Sequence, residues 1–270
     1  MNQIITPVLL VSGIGLVCGI VLTVVSILMA VPKDEKTETI LGMLPGANCG
    51  ACGYSGCEGY AKAISQGVAK PGLCTVGGEA VASSISQFIG CEATEVAKKT
   101  AVVHCLGSCD NTSDKADYEG IKTCSGAALV SGGAAGCQYG CMGFGDCAQT
   151  CPYHAITVCN GLAIIDSAQC TGCSICVSVC PKHLISLVSE NEQAVVRCSS
   201  HEKGALTSKV CKVGCIGCMK CEKTCRYNAI HVVNFLAEVD PVKCTGCGEC
   251  AEVCPRSCIT MFPAKANTAQ

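Results

Sequence analysis

CTGCGECAEVCP, running from Cys244 to Pro255, decides how this chain folds. Three cysteines at every third position are followed by a fourth after three more residues, and a proline closes the run. Such a loop can turn its sulfurs inward around one compact group. The same run recurs as CTGCSICVSVCP from Cys170 to Pro181 and as CIGCMKCEKTCR from Cys215 to Arg226. These spacings are tighter than disulfide frameworks need. The chain is also long, 270 residues, with an odd count of 29 cysteines, whereas disulfide scaffolds are short and their cysteines pair. Metal ligation is the reading that survives. The 49% hydrophobic fraction includes those cysteines, and much of the rest lies in the first thirty positions, which leaves little for one large apolar core. Trp is absent, aromatics are 4% and the net charge is −2, so no nucleic-acid partner is expected.

A cubane [4Fe-4S] cluster takes four thiolates. C-x-x-C-x-x-C supplies three, and in the bacterial dicluster arrangement the fourth comes from the partner run, which pins two clusters side by side. This logic assigns Cys244, Cys247 and Cys250 with Cys225, and Cys215, Cys218 and Cys221 with Cys254. Upstream it assigns Cys170, Cys173 and Cys176 with Cys151. The remaining group, Cys137, Cys141 and Cys147 with Cys180, has irregular spacing, because Phe144 stands in the place of Cys218. Zinc sites usually show two C-x-x-C pairs separated by a longer gap, so triple runs favour iron–sulfur.

The second half repeats itself. Cys124, Cys137, Cys141, Cys147, Cys151, Cys170, Cys173, Cys176 and Cys180 each recur 74 positions later, at Cys198, Cys211, Cys215, Cys221, Cys225, Cys244, Cys247, Cys250 and Cys254. Ala155-Ile156 matches Ala229-Ile230, and Asp166 matches Asp240. Two modules follow, 124–197 and 198–270. In each, a helical turn before the closing cysteine and a short alternating strand after it predict a small α+β unit held by its metal.

A further group lies earlier, in NCGACGYSGCEGY with Cys74 beyond Pro71-Gly72: Cys49, Cys52, Cys57 and Cys74, among glycines that let backbone approach sulfur. Zinc stays open there. Glu58 to Val68 reads as a short helix with Ala61, Ile64 and Val68 on one side. From Ile4 to Val31 no residue is charged, about 42 Å of helix, enough to cross a hydrocarbon core of about 30 Å. With no Lys or Arg before Lys33, a retained single-pass anchor is favoured over a cleaved signal. Lys33 and Lys36, and the reducing conditions that thiolates need, place the bulk on the cytoplasmic side of the plasma or inner membrane. The expected organisation is α+β: an anchor over 1–32, a small Cys-rich 4Fe-4S domain over 33–95, a Cys-containing connection over 96–123, and two dicluster ferredoxin modules.

A hydrophobic N-terminus, then NCGACGYSGCEGYA…C, then GCMGFGDCAQTCPYHAI and further ferredoxin runs, together resemble the B subunit of the Rnf ion-translocating electron-transport complex. The resemblance covers nearly the whole chain, and the order of segments is more specific than any one motif. It implies a membrane complex passing electrons between ferredoxin and NAD, coupled to Na⁺ or H⁺ movement. The chain would relay electrons, with soluble ferredoxin and flavin- and NAD-binding membrane subunits as partners, and the cysteines above match the family's clusters. A relay in another membrane redox complex, such as one reducing a redox-sensing regulator, and a non-redox zinc module are the alternatives.

Twenty cysteines then serve five [4Fe-4S] clusters, bringing the loaded chain to a charge of about −12. Cys91, Cys105, Cys109 and Cys124 are candidates for a sixth. Cys198 and Cys211 are left to buttress loops or to replace a misassigned ligand, and Cys18, Cys159 and Cys258 carry no motif. His104, His154, His183, His201 and His231 are expected to be ordinary solvated histidines. No phosphate-binding loop, catalytic triad or paired carboxylates stand out, and SGGAAG over Ser131–Gly136 reads as a linker, so no substrate-transforming site is expected. Lys209, Lys212, Lys220 and Lys223 form a candidate docking face for an acidic ferredoxin. With so little apolar core, each module should need its clusters to fold.

Overall fold

This computed structural model describes residues 2–28, 34–91, 98–189 and 193–262. Helix α1 (Asn2–Leu28) contains the apolar stretch Val8–Ser26, of mean hydropathy 2.7, none of it buried against the rest of the chain. The last residues of the expected span, 29–31, lie outside the described residues, as do Lys33 and the expected boundary at 95.

Helices α2 (Glu35–Met43), α3 (Cys57–Ser65) and α4 (Gly78–Ile89) build the small N-terminal domain. The Asp34 carboxylate caps α2, accepting from the Lys36 amide at 3.2 Å and the Thr37 hydroxyl at 3.0 Å. Ile40, Leu44, Tyr60, Ala61, Ile64 and Ile85 are buried together. Helix α3 ends sooner than its apolar spacing suggests. Gly67 takes φ +73°, and Val68, expected on the inner face, is 74% exposed.

The first ferredoxin fold comprises β1 (Lys99–Val103), α5 (Cys124–Leu129), α6 (Asp146–Gln149), β2 (Ile156–Cys159), β3 (Leu162–Ile165), α7 (Ile175–Val179) and β4 (Ile185–Ser189). The second comprises β5 (Gln193–Val196), α8 (Gly204–Val210), α9 (Lys220–Thr224), β6 (Ile230–Val233), β7 (Leu236–Val239), α10 (Glu249–Glu252) and β8 (Ile259–Phe262). Each fold pairs its inner strands as a hairpin, β2 with β3 and β6 with β7, and its outer strands as a second antiparallel ladder, β1 with β4 and β5 with β8. The first hairpin turns on Asn160-Gly161, both with positive φ, as a two-residue loop of this twist requires.

Strand pairing moves both module boundaries upstream. β1 lies in the expected 96–123 connection, yet it pairs with β4, Val103 opposite Ile185. Likewise β5 precedes residue 198 and pairs with β8, Val196 opposite Ile259. An apolar ladder strand cannot be left outside the sheet it completes, so each fold starts with the strand before its first cysteine. Internal equivalence is otherwise close. Ala155 and Ala229 are each 2% exposed, as are Ala163 and Ala237.

The two folds pack through β1 and β5. Val102, Val195 and Phe262 form a small shared core. Beside it two contacts answer one another. The Arg197 Nε donates to the Val103 carbonyl at 2.6 Å, and the His104 Nδ1 donates to the Val196 carbonyl at 2.7 Å. The backbone amides behind them are equivalent too: His104 donates to Leu184 and Arg197 to Cys258, both at 2.7 Å. Reciprocal contacts of this kind mark a local two-fold relation between the modules.

Candidate metal centres

Three quartets of cysteine line cavities inside the ferredoxin folds. Cys215, Cys218, Cys221 and Cys254, with Cys258 beside them, line a cavity of about 20 Å³, and Cys225, Cys244, Cys247 and Cys250 line another of about 20 Å³. Both cavities contain the four cysteines that the spacing grouped. A one-turn helix presents one thiol of each set, Cys221 on α9 and Cys250 on α10, and the closing loop of the opposite run supplies the fourth. The third cavity, also about 20 Å³, is lined by Cys124, Cys141, Cys147 and Cys180.

That third quartet departs from the sequence assignment. Cys137 lines a different cavity. Phe144, in the place of Cys218, packs against Tyr118 with ring centroids 5.6 Å apart. Cys124 stands in from the first turn of α5, where Asp146 holds it. One Asp146 oxygen accepts from the Cys124 amide at 2.8 Å, and the other accepts from the Ser125 amide and hydroxyl at 3.0 Å. Burial opposes the Asp146 charge, but these donors together hold its carboxyl below the usual range. The 74-residue register concealed this, since Cys124 and its sequence counterpart Cys198 occupy different places.

The two other expected groups have their members near one another. Burial first, then the charges of Cys170, Cys173, Cys147 and Cys151, pushes the Cys176 thiol up to about 12. In the N-terminal domain Cys49, Cys52 and Cys57 face Cys74. The Tyr60 hydroxyl fixes that loop by donating to the Lys70 carbonyl at 2.9 Å and accepting from the Leu73 amide at 3.0 Å. The two groups are neighbours. Cys49 is within reach of Cys173, and the Thr75 hydroxyl donates to the Gly172 carbonyl at 3.1 Å.

The donor sets fit iron–sulfur chemistry. Backbone amides donate to Cys74 at 3.3 Å, to Cys170, Cys180 and Cys225 at 3.4 Å, and to Cys244 at 3.5 Å. Such bonds stabilise thiolate sulfur and tune a cluster's potential. Burial first, and neighbouring thiolates second, push Cys147, Cys221 and Cys250 up to about 11. Without a compensating cation these thiols therefore stay protonated, and metal uptake must release their protons. Among the described residues no three Cys, His, Asp or Glu side chains close onto one point as a single zinc with bonds of about 2.3 Å requires.

Sequence reasoning missed three features. Cys258 is 1% exposed, with its sulfur 3.6 Å from Cys254, and its thiol is held protonated by donating toward Cys215. His104 is not solvated. Burial first, then Arg197, lowers its pKa, so the neutral ring donates through Nδ1 while Nε2 accepts from the Ser186 hydroxyl at 2.6 Å. The proposed set Cys91, Cys105, Cys109 and Cys124 does not assemble: Cys91 and Cys109 are exposed, and Cys124 joins the third quartet.

Comparison with known proteins agrees with this arrangement. Residues 44–76 match an Fe-S cluster family, residues 163–186 a 4Fe-4S binding domain and residues 214–258 a 4Fe-4S dicluster domain. The chain is 38% identical over 266 residues to the B subunit of the ion-translocating oxidoreductase complex of Methanosarcina acetivorans, covering 98% of each chain. It is 39% identical over 261 residues to the B subunit of the Na(+)-translocating ferredoxin:NAD(+) oxidoreductase complex of Acetobacterium woodii, covering 96% of this chain and 78% of the relative. The B subunit of the proton-translocating ferredoxin:NAD(+) oxidoreductase complex of Clostridium ljungdahlii is 39% identical over 243 residues, 89% of this chain and 85% of the relative. The chain belongs to the Rnf B-subunit family. It is an electron-transfer protein with [4Fe-4S] clusters in ferredoxin-type domains.

Proposed function

We propose that the chain relays single electrons from reduced ferredoxin, through at least five [4Fe-4S] clusters, to flavin- and NAD-binding subunits of an ion-translocating membrane complex. The names of its relatives support the setting. The observation that carries the relay is the succession of five cysteine groups along the chain. The ligands are Cys49, Cys52, Cys57 and Cys74; Cys151, Cys170, Cys173 and Cys176; Cys124, Cys141, Cys147 and Cys180; Cys215, Cys218, Cys221 and Cys254; and Cys225, Cys244, Cys247 and Cys250. A cluster in each supplies one-electron transfer with no bond made or broken. The protein's part is to hold the sulfurs, aim amides at them and keep water out. No substrate is transformed on this chain.

Electrons arrive at the second ferredoxin fold. Its ligands Cys218 and Cys247 are exposed, and exposed Met219, Tyr227 and Val242 give an apolar rim. Lys209, Lys220 and Lys223 are exposed charges of the same fold, while the Lys212 ammonium donates to the Asp110 carbonyl at 3.0 Å. At the other end α1 anchors the chain once in the membrane, with the bulk cytoplasmic. Leu28 and Glu35 are seven residues apart, so the N-terminal cluster domain begins within about 25 Å of the anchor.

Charge reversal at Lys209, Lys212, Lys220 and Lys223 tests the docking face. It should slow reduction by ferredoxin, with a loss that changes with ionic strength. Unchanged kinetics would reject the face.

A further inference from the structure

We infer that Cys105, Cys137, Cys198 and Cys211 form a sixth [4Fe-4S] site, shared between the two ferredoxin folds and joining their cluster pairs into one path. This rests on the relay proposed above and adds its missing middle.

All four cysteines line one cavity of about 20 Å³ between the folds. Its size matches the cavities of about 20 Å³ at the three ferredoxin quartets. Each fold contributes two thiols, and they are equivalent pairs. Cys105 follows β1 by two residues and Cys198 follows β5 by two, in VVHC and VVRC. Cys137 and Cys211 are repeat counterparts.

The sulfur environment repeats with them. The Cys105 Sγ accepts from the amides of Gly107 at 3.3 Å and Cys141 at 3.4 Å. The Cys198 Sγ accepts from Ser200 at 3.5 Å and Cys215 at 3.3 Å. Doubly hydrogen-bonded sulfurs are built to carry negative charge, and here that charge is nearly enclosed: Cys105 is 8% and Cys211 7% exposed. The buried guanidinium of Arg197 lines the same cavity and offsets it. Chain approach is close as well. A Cβ on Gly107 would stand 3.5 Å from the Cys105 sulfur, and one on Gly214 3.5 Å from that of Cys211.

A single zinc does not suit the site, since among the described residues no three such donors converge on one point. Position gives the function. The amides reaching Cys105 and Cys198 belong to Cys141 and Cys215, which are ligands of the flanking sites in the first and second folds. One hydrogen bond therefore separates the bridging site from each neighbour. A cluster held by these four thiols would exchange single electrons with each flanking site, one partner oxidised by one as the other is reduced by one, without protons or bond changes.

The test is iron and acid-labile sulfide per full-length chain, purified without oxygen and reconstituted to saturation, beside Cys211→Ala and a Cys159→Ala control on exposed β2. Six sites give about 24 iron and 24 sulfide for the wild type and for Cys159→Ala, and about 20 of each for Cys211→Ala. About 20 iron in the wild type, or one zinc per chain lost in Cys211→Ala, would overturn the sixth site and leave a five-cluster relay standing. The wild-type count decides even where Cys211→Ala fails to fold. A chain holding no iron at all would strike down the relay as well.

Discussion

At the scale of single residues, two side chains make direct predictions. Spacing grouped Cys124 with Cys91, Cys105 and Cys109 instead, because its nearest partner in the quartet is 17 positions away and the repeat register pointed elsewhere. Cys124→Ala should remove about four iron atoms per chain and the EPR signal of one first-fold cluster, while Cys109→Ala, on an exposed thiol, should remove none. Retention of full iron in Cys124→Ala would return Cys137 to that quartet. Tyr60 carries the N-terminal loop through two hydrogen bonds in a buried setting. Tyr60→Phe leaves the Lys70 carbonyl and the Leu73 amide without their partner, at a cost of about 1–3 kcal/mol. Denaturant melting of the domain over 34–91 should show it, together with faster loss of the cluster at Cys74. An unchanged midpoint would mean the loop holds itself.

At the scale of elements, the helical turns before each closing cysteine and the strands after them were legible, since both depend on residues a few positions apart. The opening strands β1 and β5 were not. Val103 of β1 pairs with Ile185, 82 positions on, and Val196 of β5 with Ile259, 63 positions on, separations no local pattern encodes. The consequence is concrete. A chain starting at residue 124 lacks β1 and should fail to take up both first-fold clusters, whereas one starting at residue 98 should load them. Equal iron in the two would show that β1 is dispensable. The hairpin turn gives a second case. Gly161 has φ +73°, and a Cβ there would stand 2.5 Å from the Cys109 sulfur. Gly161→Ala should therefore destabilise the first fold by about 1–2 kcal/mol from backbone strain alone. A melting transition unmoved from the wild type would contradict that packing.

At the scale of the whole molecule, sequence spacing identified the quartets that lie within one loop pair but not the cysteines that meet across folds. Cys105 and Cys198 are structural counterparts offset by 93 positions, not 74, so the repeat that exposed the duplication also hid this pairing. Packing links the parts in series: the N-terminal domain touches the first fold near Cys173, and the first fold touches the second at His104 and Arg197. Little apolar surface holds these units, and several cores contain ligand cysteines themselves. Stripping iron with a chelator should therefore abolish the cooperative melting of both ferredoxin folds, as followed by hydrogen exchange at β2, β3, β6 and β7.

The most direct measurement is a stepwise reductive titration of the anaerobically purified chain, followed by visible absorption and low-temperature EPR. Broad visible absorption should bleach with about one electron taken up per four iron atoms, with signals showing interaction between neighbouring clusters. A colourless protein, or iron that accepts no electrons, would contradict a relay built from these cysteines.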